Sequence, residues 1–260
     1  MAQMINNKKQ KRQELIGSIS IFIESYIFSL IAFFFTYTKI DKIIRNWPHI
    51  VNIFKTLLSV KIDQVPFVSE MIVTVFLAIV NVFIGFLLIT RKKALQKPKG
   101  FLEICIPILS TYFWLTYNII PYIPKNINFY IVPINTLLLF SVIGSFVALS
   151  GYIINTIAVF NLRRSFGVLV QVRHIVKHGL YRYVRHPIYL GYIIIATGIS
   201  LINPRLFFLL ISAVNIGLVI FRAKLEERKL AAYSQEYKEY MHETPFLLPI
   251  KFSKLTKHKS

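Results

Sequence analysis

Apolar runs of membrane-crossing length constrain this 260-residue chain more than any other feature. A hydrocarbon core takes about 17–25 consecutive apolar residues per helix. Runs of that kind stand near 16–38, 67–90, 101–123 and 131–158, and two shorter ones near 188–202 and 205–221. A hydrophobic content of 55% and a mean hydropathy of +0.57 are too high for an ordinary soluble domain. The expected fold is all-α, a polytopic transmembrane helical bundle. Asn203-Pro204 separates the last two runs. Proline cannot continue a helical hydrogen-bond ladder, so 188–221 reads as a tight antiparallel hairpin. The first run lacks a small-residue cleavage signal and reads as a retained span.

Charge orients the bundle. The chain carries 31 Lys and Arg against 11 Asp and Glu, a net +20. These cations sit between the apolar runs rather than on one continuous face, which fits cytoplasmic loops and not nucleic-acid binding. With six spans and the N-terminus inside, segments 1–15, 91–100, 161–187 and 222–260 share one side and hold most of the cations. Both termini are then expected on the cytoplasmic side of an integral, multi-pass membrane protein. The misfit is 39–66, with Lys39, Lys42, Arg45, Lys55 and Lys61. Its stretch 47–60, WPHIVNIFKTLLSV, reads as an amphipathic helix lying in the interface. Glu24 and Glu103 are carboxylates inside or at the edge of spans, where a charge calls for a role. Cys105 is the single cysteine, so the chain can form neither an internal disulfide nor a cysteine metal cluster, and no metal site is expected.

The organisation is bipartite. Residues 1–158 are spans with short loops, 159–250 alternate polar blocks with the hairpin, and 251–260, KFSKLTKHKS, form a basic tail. The densest polar block is Lys177–Gly191, KHGLYRYVRHPIYLG. Gly179 reads as a flexible entry to it, and Pro187 suits the first turn of the hairpin helix, whose N–H groups could meet an anion. The hairpin goes out and returns, so Arg222–Arg228 comes back beside Gln171–Gly191. That block is expected to start a helix. Arg222 and Glu226 share one face a turn apart, with Leu225, Leu230, Tyr233, Tyr237 and Tyr240 continuing as a stripe. A surface salt bridge and an interfacial aromatic belt explain arginines and tyrosines in general. They do not explain the order Arg-His-Pro-x-Tyr-x-Gly. No G-x-G-x-x-G after a strand, G-x-x-x-x-G-K-[ST], H-E-x-x-H or G-x-S-x-G occurs, so the common nucleotide and hydrolase sites are not signalled.

The order Gly179-Leu-Tyr-Arg-Tyr-Val-Arg-His-Pro-Ile-Tyr-Leu-Gly191, a hairpin, then Arg222-x-x-x-Glu226-Glu227 and Glu236-Tyr237…Tyr240…Leu248-Pro249 resembles the isoprenylcysteine carboxyl methyltransferase family. That family is grouped with phospholipid methyltransferases among integral-membrane enzymes that use S-adenosylmethionine. The resemblance covers roughly 160–250; residues 1–158 match only in being spans. It implies a methyltransferase core at 159–250 with cytoplasmic cofactor-binding loops and an amphipathic C-terminal helix. It implies transfer of a methyl group to a lipophilic acceptor (prenylcysteine, lipid or thiol) at the membrane lipids. Carried over residue by residue, the donor falls to Gln171, His174, Ile175, Val176, Tyr181, His186, Pro187, Ile188, Tyr189 and Glu227. Arg222 faces the acceptor. One departure is Arg173, which stands where the family commonly has a histidine.

These roles are chemically coherent. Aromatic faces stabilise a sulfonium cation, and a carboxylate such as Glu227 suits donor hydroxyl and amino groups. A carboxylate acceptor needs an arginine to hold it, whereas an amine must also lose a proton. Glu226, His186 or His174 could take that proton, so Arg222 and Glu226 are the expected catalytic pair. Phospholipid N-methylation and thiol S-methylation stay open at this level. A sterol-reductase-like nicotinamide enzyme shares the Arg-His-Pro loop but reads Arg-His-Pro-Asn-Tyr, where this chain has Ile188. A non-catalytic membrane protein that keeps the fold is the remaining alternative.

Overall fold

The computed structural model describes residues 26–55, 65–92 and 94–249, together with Leu15, Ile19 and Phe22. Glu24, the end of the expected interfacial helix and the basic tail lie outside the described residues. The described chain forms α1 (Phe28–Arg45), α2 (Trp47–Lys55), α3 (Val65–Thr90) and α4 (Leu102–Tyr112), then α5 (Leu137–Leu162), α6 (Pro187–Ile202), α7 (Leu206–Tyr233) and α8 (Gln235–Glu243). Short 3-10 helices occupy Phe113–Tyr122, Ile134–Thr136, Arg163–Ser165 and Gly179–Arg182. No strand occurs among the described residues, only isolated bridges at Gln96–Val172 and Tyr130–Arg205.

The apolar runs become helices close to their expected places, with three corrections. First, α1 runs past residue 38 to Arg45, carried by the Asp41–Arg45 ion pair at 2.8 Å. Second, Arg222–Arg228 does not start a helix but continues α7 without a break, because no helix breaker stands between the apolar and polar parts. Third, the expected aromatic stripe is split at Ser234, whose hydroxyl caps α8 by accepting from Tyr237 N at 3.3 Å. Ile134–Ser165 and Leu206–Tyr233 are long and apolar enough to cross a membrane. Ala78–Thr90, Leu102–Tyr112 and Pro187–Ile202 are apolar but shorter.

The closest helix pair is α5 with α6, antiparallel and built on small residues. A Cβ added at Gly198 would lie 2.4 Å from Ala148 N, and one at Gly151 would lie 2.8 Å from Ile195 N. Such close backbone approach is how helices associate where lipid removes the hydrophobic drive between them. Asn155 sits in the same seam, buried, and donates to Ile188 O at 3.2 Å. On the other flank α1 lies along α3, where Phe33 packs on Gly85 and Ser29 donates to Gly85 O at 3.3 Å. Large apolar side chains face outward, including Leu30 at 68%, Ile79 at 65% and Phe146 at 68% exposed. The most deeply buried apolar residues, Leu88, Ala158, Val159, Val170, Val172 and Ala223, gather towards one end of the helices. The polar segment 163–186 packs at that same end.

Candidate active site

The chain leaves α5 through Arg163, whose φ of 47° is the only positive value at a non-glycine residue among those described. It then bends through Val168–Val170 and pairs at Val172 with Gln96 in an isolated antiparallel bridge. Side chains alternate along an extended segment. About that bridge Leu169, Gln171 and Arg173 line a cavity of about 670 Å³, while Val170 and Val172 point away and are fully buried; Phe166, Gly167 and Val168 line it in succession ahead of them. Next comes the turn at Gly179, with φ +62°. Sequence reading made Gly179 a flexible entry; instead it is fixed. Leu180 N donates to Asn161 Oδ1 at 2.9 Å, and a Cβ on Gly179 would lie 2.2 Å from that oxygen. His186 then precedes Pro187, the first residue of α6 as expected.

Ten of the sequence-derived residues share the cavity: Gln171, His174, Ile175, Val176, Tyr181, His186, Ile188, Tyr189, Arg222 and Glu226. Pro187 is buried beside it as the start of α6. Glu227 is placed differently: it is absent from the cavity wall, and its Oε1 accepts from Arg185 Nε at 2.6 Å and lies 3.1 Å from His186 Nε2. Arg173, at the position that departs from the family pattern, donates to Gln171 Oε1 at 2.7 Å and to Lys92 O. The adjacent His174 is exposed yet still on the cavity rim.

Arg222 is buried on α7 and saturated nearly all round. Its Nε faces Glu226 Oε1 at 3.4 Å, and Nη2 donates to Val168 O at 2.5 Å. Its Nη1 reaches Thr111 Oγ1 at 2.8 Å and Ser110 Oγ at 3.4 Å. A guanidinium has five N–H groups, so one Nη2 hydrogen is left over on a residue that lines the cavity. The ring centroid of Tyr189 lies 5.2 Å from Arg222 Cζ, and the Tyr189 hydroxyl donates to Glu226. Arg222, Tyr189 and Glu226 are thus one bonded unit on the wall.

The C-terminal segment closes the tyrosine-rich end of the cavity, a contact that the sequence pattern does not signal. Arg185 donates through Nη1 to the carbonyls of Met241, at 2.7 Å, and Thr244. The main-chain N–H groups of Arg185 and His186 donate to Pro245 O at 2.9 Å and Phe246 O at 3.2 Å. Phe246 meets His186 edge-on, with centroids 5.1 Å apart. Only the residue type of Arg185 gave a signal, because its partners are carbonyls. Tyr181, Tyr237 and Tyr240 complete this end, and Tyr240 donates to Tyr181 O. Burial, then the nearby Glu226 carboxylate, pushes the Tyr181 hydroxyl well above its ordinary range. Burial likewise raises Tyr240 to about 12, with Arg185 opposing and Glu227 adding to the shift. Both stay neutral near pH 7 and act as donors or apolar faces, not as charges.

Residues 142–232, the span from α5 through α7, match the isoprenylcysteine carboxyl methyltransferase (ICMT) family. The chain is similar to protein-S-isoprenylcysteine O-methyltransferase A of Arabidopsis thaliana, 29% identical over 154 residues, covering 55% of this chain and 62% of the relative. It is also similar to probable protein-S-isoprenylcysteine O-methyltransferases of Oryza sativa subsp. indica and subsp. japonica. Each is 31% identical over 122 residues, covering 42% of this chain and 61% of the relative. The chain therefore spans less than two thirds of the length of these curated relatives. The ICMT match begins within α5 and stops at Ala232, so α8 and the 241–246 closure lie beyond it.

Proposed function

We propose that this protein is a multi-pass membrane methyltransferase that moves a methyl group from S-adenosylmethionine to the carboxylate of a prenylated cysteine. One observation carries the reading. A single cavity runs from the polar, tyrosine-rich end at Tyr181 and Tyr240, past Arg222 and Glu226, to an apolar stretch lined by Phe28, Ile31, Ile84, Leu88 and Ile195. Its volume of about 670 Å³ falls within the usual range for small-molecule sites, about 300–1,000 Å³. The names of the curated relatives supply the acceptor.

The membrane reading rests on length and surface. At about 1.5 Å per α-helical residue and 2.0 Å per 3-10 residue, Leu102–Tyr122 extends about 36 Å, and α3 about 39 Å, each enough to span. The hairpin helix α6 reaches only about 24 Å and needs tilt or local thinning. Apolar side chains on the outside of α1, α3 and α5 suit lipid. The cation-rich segments put the site end and both termini in the cytoplasm. Residues 159–250 then form the catalytic core and 1–158 the membrane scaffold.

The residues fit the donor. Gln171 is more than nine-tenths buried on the cavity wall, and its Nε2 has no hydrogen-bond partner among the described residues. An amide donor left that way costs about 1–3 kcal/mol unless a ligand acceptor meets it. The faces of Tyr181, Tyr189, Tyr237 and His186 suit a sulfonium. When bound, S-adenosylmethionine supplies a methyl group activated on that cation. The chain's own work is positioning and exclusion of water. Arg222 offers its remaining Nη2 hydrogen and its charge to an acceptor carboxylate. Tyr189 and Glu226 fix that guanidinium. Glu227 holds Arg185 and His186, and Phe246 closes over His186. No general base is needed for a carboxylate.

A second reading has one observation in its favour: Glu226 is a carboxylate on the cavity wall, able to accept a proton from an amine. Incubating the purified protein with methyl-labelled S-adenosylmethionine and either S-farnesylcysteine or phosphatidylethanolamine vesicles separates the two. Base-labile label on S-farnesylcysteine is the expected result. Base-stable label in the lipid headgroup would move the assignment to N-methylation, and label in neither would remove both.

A further inference from the structure

The wall that carries Gln171 is held from behind by groups outside the cavity. The loop between α3 and α4 runs antiparallel to it. Val172 N donates to Gln96 O at 3.0 Å, and Val172 O accepts from Leu95 N at 2.8 Å. Val170 N donates to Glu103 O at 3.2 Å. From α7, Arg222 takes Val168 O and Lys229 takes Val170 O, the latter at 3.2 Å. Lys229 is buried, and its Nζ also bonds to Lys97 O at 2.8 Å and to Glu103 Oε2. An ammonium has three N–H groups, and here they join three separate pieces of chain.

We infer that Lys229, through its ion pair with Glu103, is a positioning residue that sets the register of the 166–173 wall and so aims Gln171 into the donor end of the cavity. The ligand at that end rests on the methyltransferase reading; the clasp itself does not. Around the antiparallel bridge of Val172 with Gln96 a slip of one residue exchanges the two faces of the wall. Leu169, Gln171 and Arg173 would leave the cavity, and Val170 and Val172 would enter it. Arg222 and Lys229 lie seven residues apart, two turns along one face of α7, and grip alternate carbonyls of this one segment. Two fixed carbonyls on a rigid helix define a register where one alone would allow the segment to pivot. Stability is a weaker account of the pair, because a buried ion pair often adds little net stability over an apolar replacement. Glu103, which sequence reading singled out as a carboxylate at a span edge, thereby acquires a partner and a task outside the cavity.

The test uses the full-length protein in detergent with three variants: Lys229→Met, Lys229→Arg and the charge-balanced pair Glu103→Gln/Lys229→Met. The pair guards against simple misfolding of Lys229→Met around an unpaired Glu103. Two readouts are taken: hydrogen exchange of amides 166–173 without ligand, and titration with S-adenosylmethionine alongside the Michaelis constant for S-farnesylcysteine. The expected result is exchange at Val170–Arg173 at least tenfold faster in Lys229→Met and in the pair. Donor affinity should fall about tenfold, with the acceptor constant within twofold, and Lys229→Arg should recover most of both. Unchanged exchange at 166–173 in the charge-balanced pair overturns the inference. So does a parallel loss of donor and acceptor affinity with faster exchange throughout the chain. If wild type shows no saturable donor binding, the methyltransferase reading falls, while the exchange readout still decides whether Lys229 sets the register.

Discussion

The two sides of α6 are built on opposite rules. Towards α5 the helix presents Gly191, the Ile195 backbone and Gly198 to Gly151 and Ala148, so closely that no added Cβ fits at the glycines. Towards α7 it presents Tyr189, Tyr192, Ala196 and Ile199 to a cavity. The two hairpin helices nonetheless touch at two polar places: Tyr189 meets Arg222 and Glu226, and further along Ser200 Oγ donates to Ser212 Oγ at 2.6 Å, with Tyr117 Oη 2.6 Å from Ser212 Oγ. The contrast teaches how a short apolar helix can carry a site. One face is locked so that the other can afford to be hollow.

Substitutions can break either side separately. The largest effect belongs to Arg222→Met on the hollow side, which should lower the turnover of S-farnesylcysteine about 100- to 1,000-fold, the scale for losing one aimed charge-stabilising donor. The protein should stay folded; donor affinity by calorimetry should also fall about tenfold, because Val168 O loses its anchor, well short of the loss in turnover. Gly198→Leu does the reverse: it drives a side chain into the Ala148 backbone and should cost about 1–3 kcal/mol or more by overpacking. A lower melting midpoint in detergent, with activity per folded molecule retained, would be the signature. Where the two sides converge at the start of α6, Glu227→Ala frees Arg185 and His186. Donor affinity should weaken about tenfold, in line with the roughly 1.5–3 kcal/mol of a charged hydrogen bond, without a matching change in acceptor affinity. Ser212→Ala removes the second polar touch between the hairpin helices and should lower stability by about 1 kcal/mol with little change in rate.

The smallest effect is a pH dependence. Tyr240 has its folded pKa raised from 10.0 to about 12. A group raised on folding contributes stability below its unfolded pKa and loses it as pH climbs through the folded one. The melting midpoint should therefore fall between pH 10 and 12, and less steeply in Tyr240→Phe.

The sequence exposes those parts of this molecule where residue type is dictated by physics. Lipid demands long apolar runs, so α3, α5 and α6 begin and end within a few residues of their expected limits. Asn203-Pro204 marks the hairpin because proline stops a helix. Arg222 and Glu226 are legible as a helical pair, and their meeting with Tyr189 follows from the hairpin's return. What stays hidden is held by carbonyls. The grip of Lys229 on Val170, of Arg173 on Lys92 and of Arg185 on Met241 and Thr244 uses main-chain oxygens that every residue supplies. The break at Ser234 is local, a single hydroxyl cap against a run of good helix formers. Glu227 illustrates a third case: its residue type is telling, yet only geometry shows that it bonds Arg185 and His186 from behind the cavity wall.

The anchoring of Arg185 also fixes an order of events during synthesis. Its side chain bonds to Glu227, Met241 and Thr244, all made 42 or more residues later. When Arg185 is added to the growing chain, none of those acceptors has been polymerised. Assembly of the site is therefore a terminal event, completed when the stretch around 241–246 folds back across the corner. A nascent chain stalled before that stretch would hold the helices of the matched segment and still leave the Arg-His-Pro corner open.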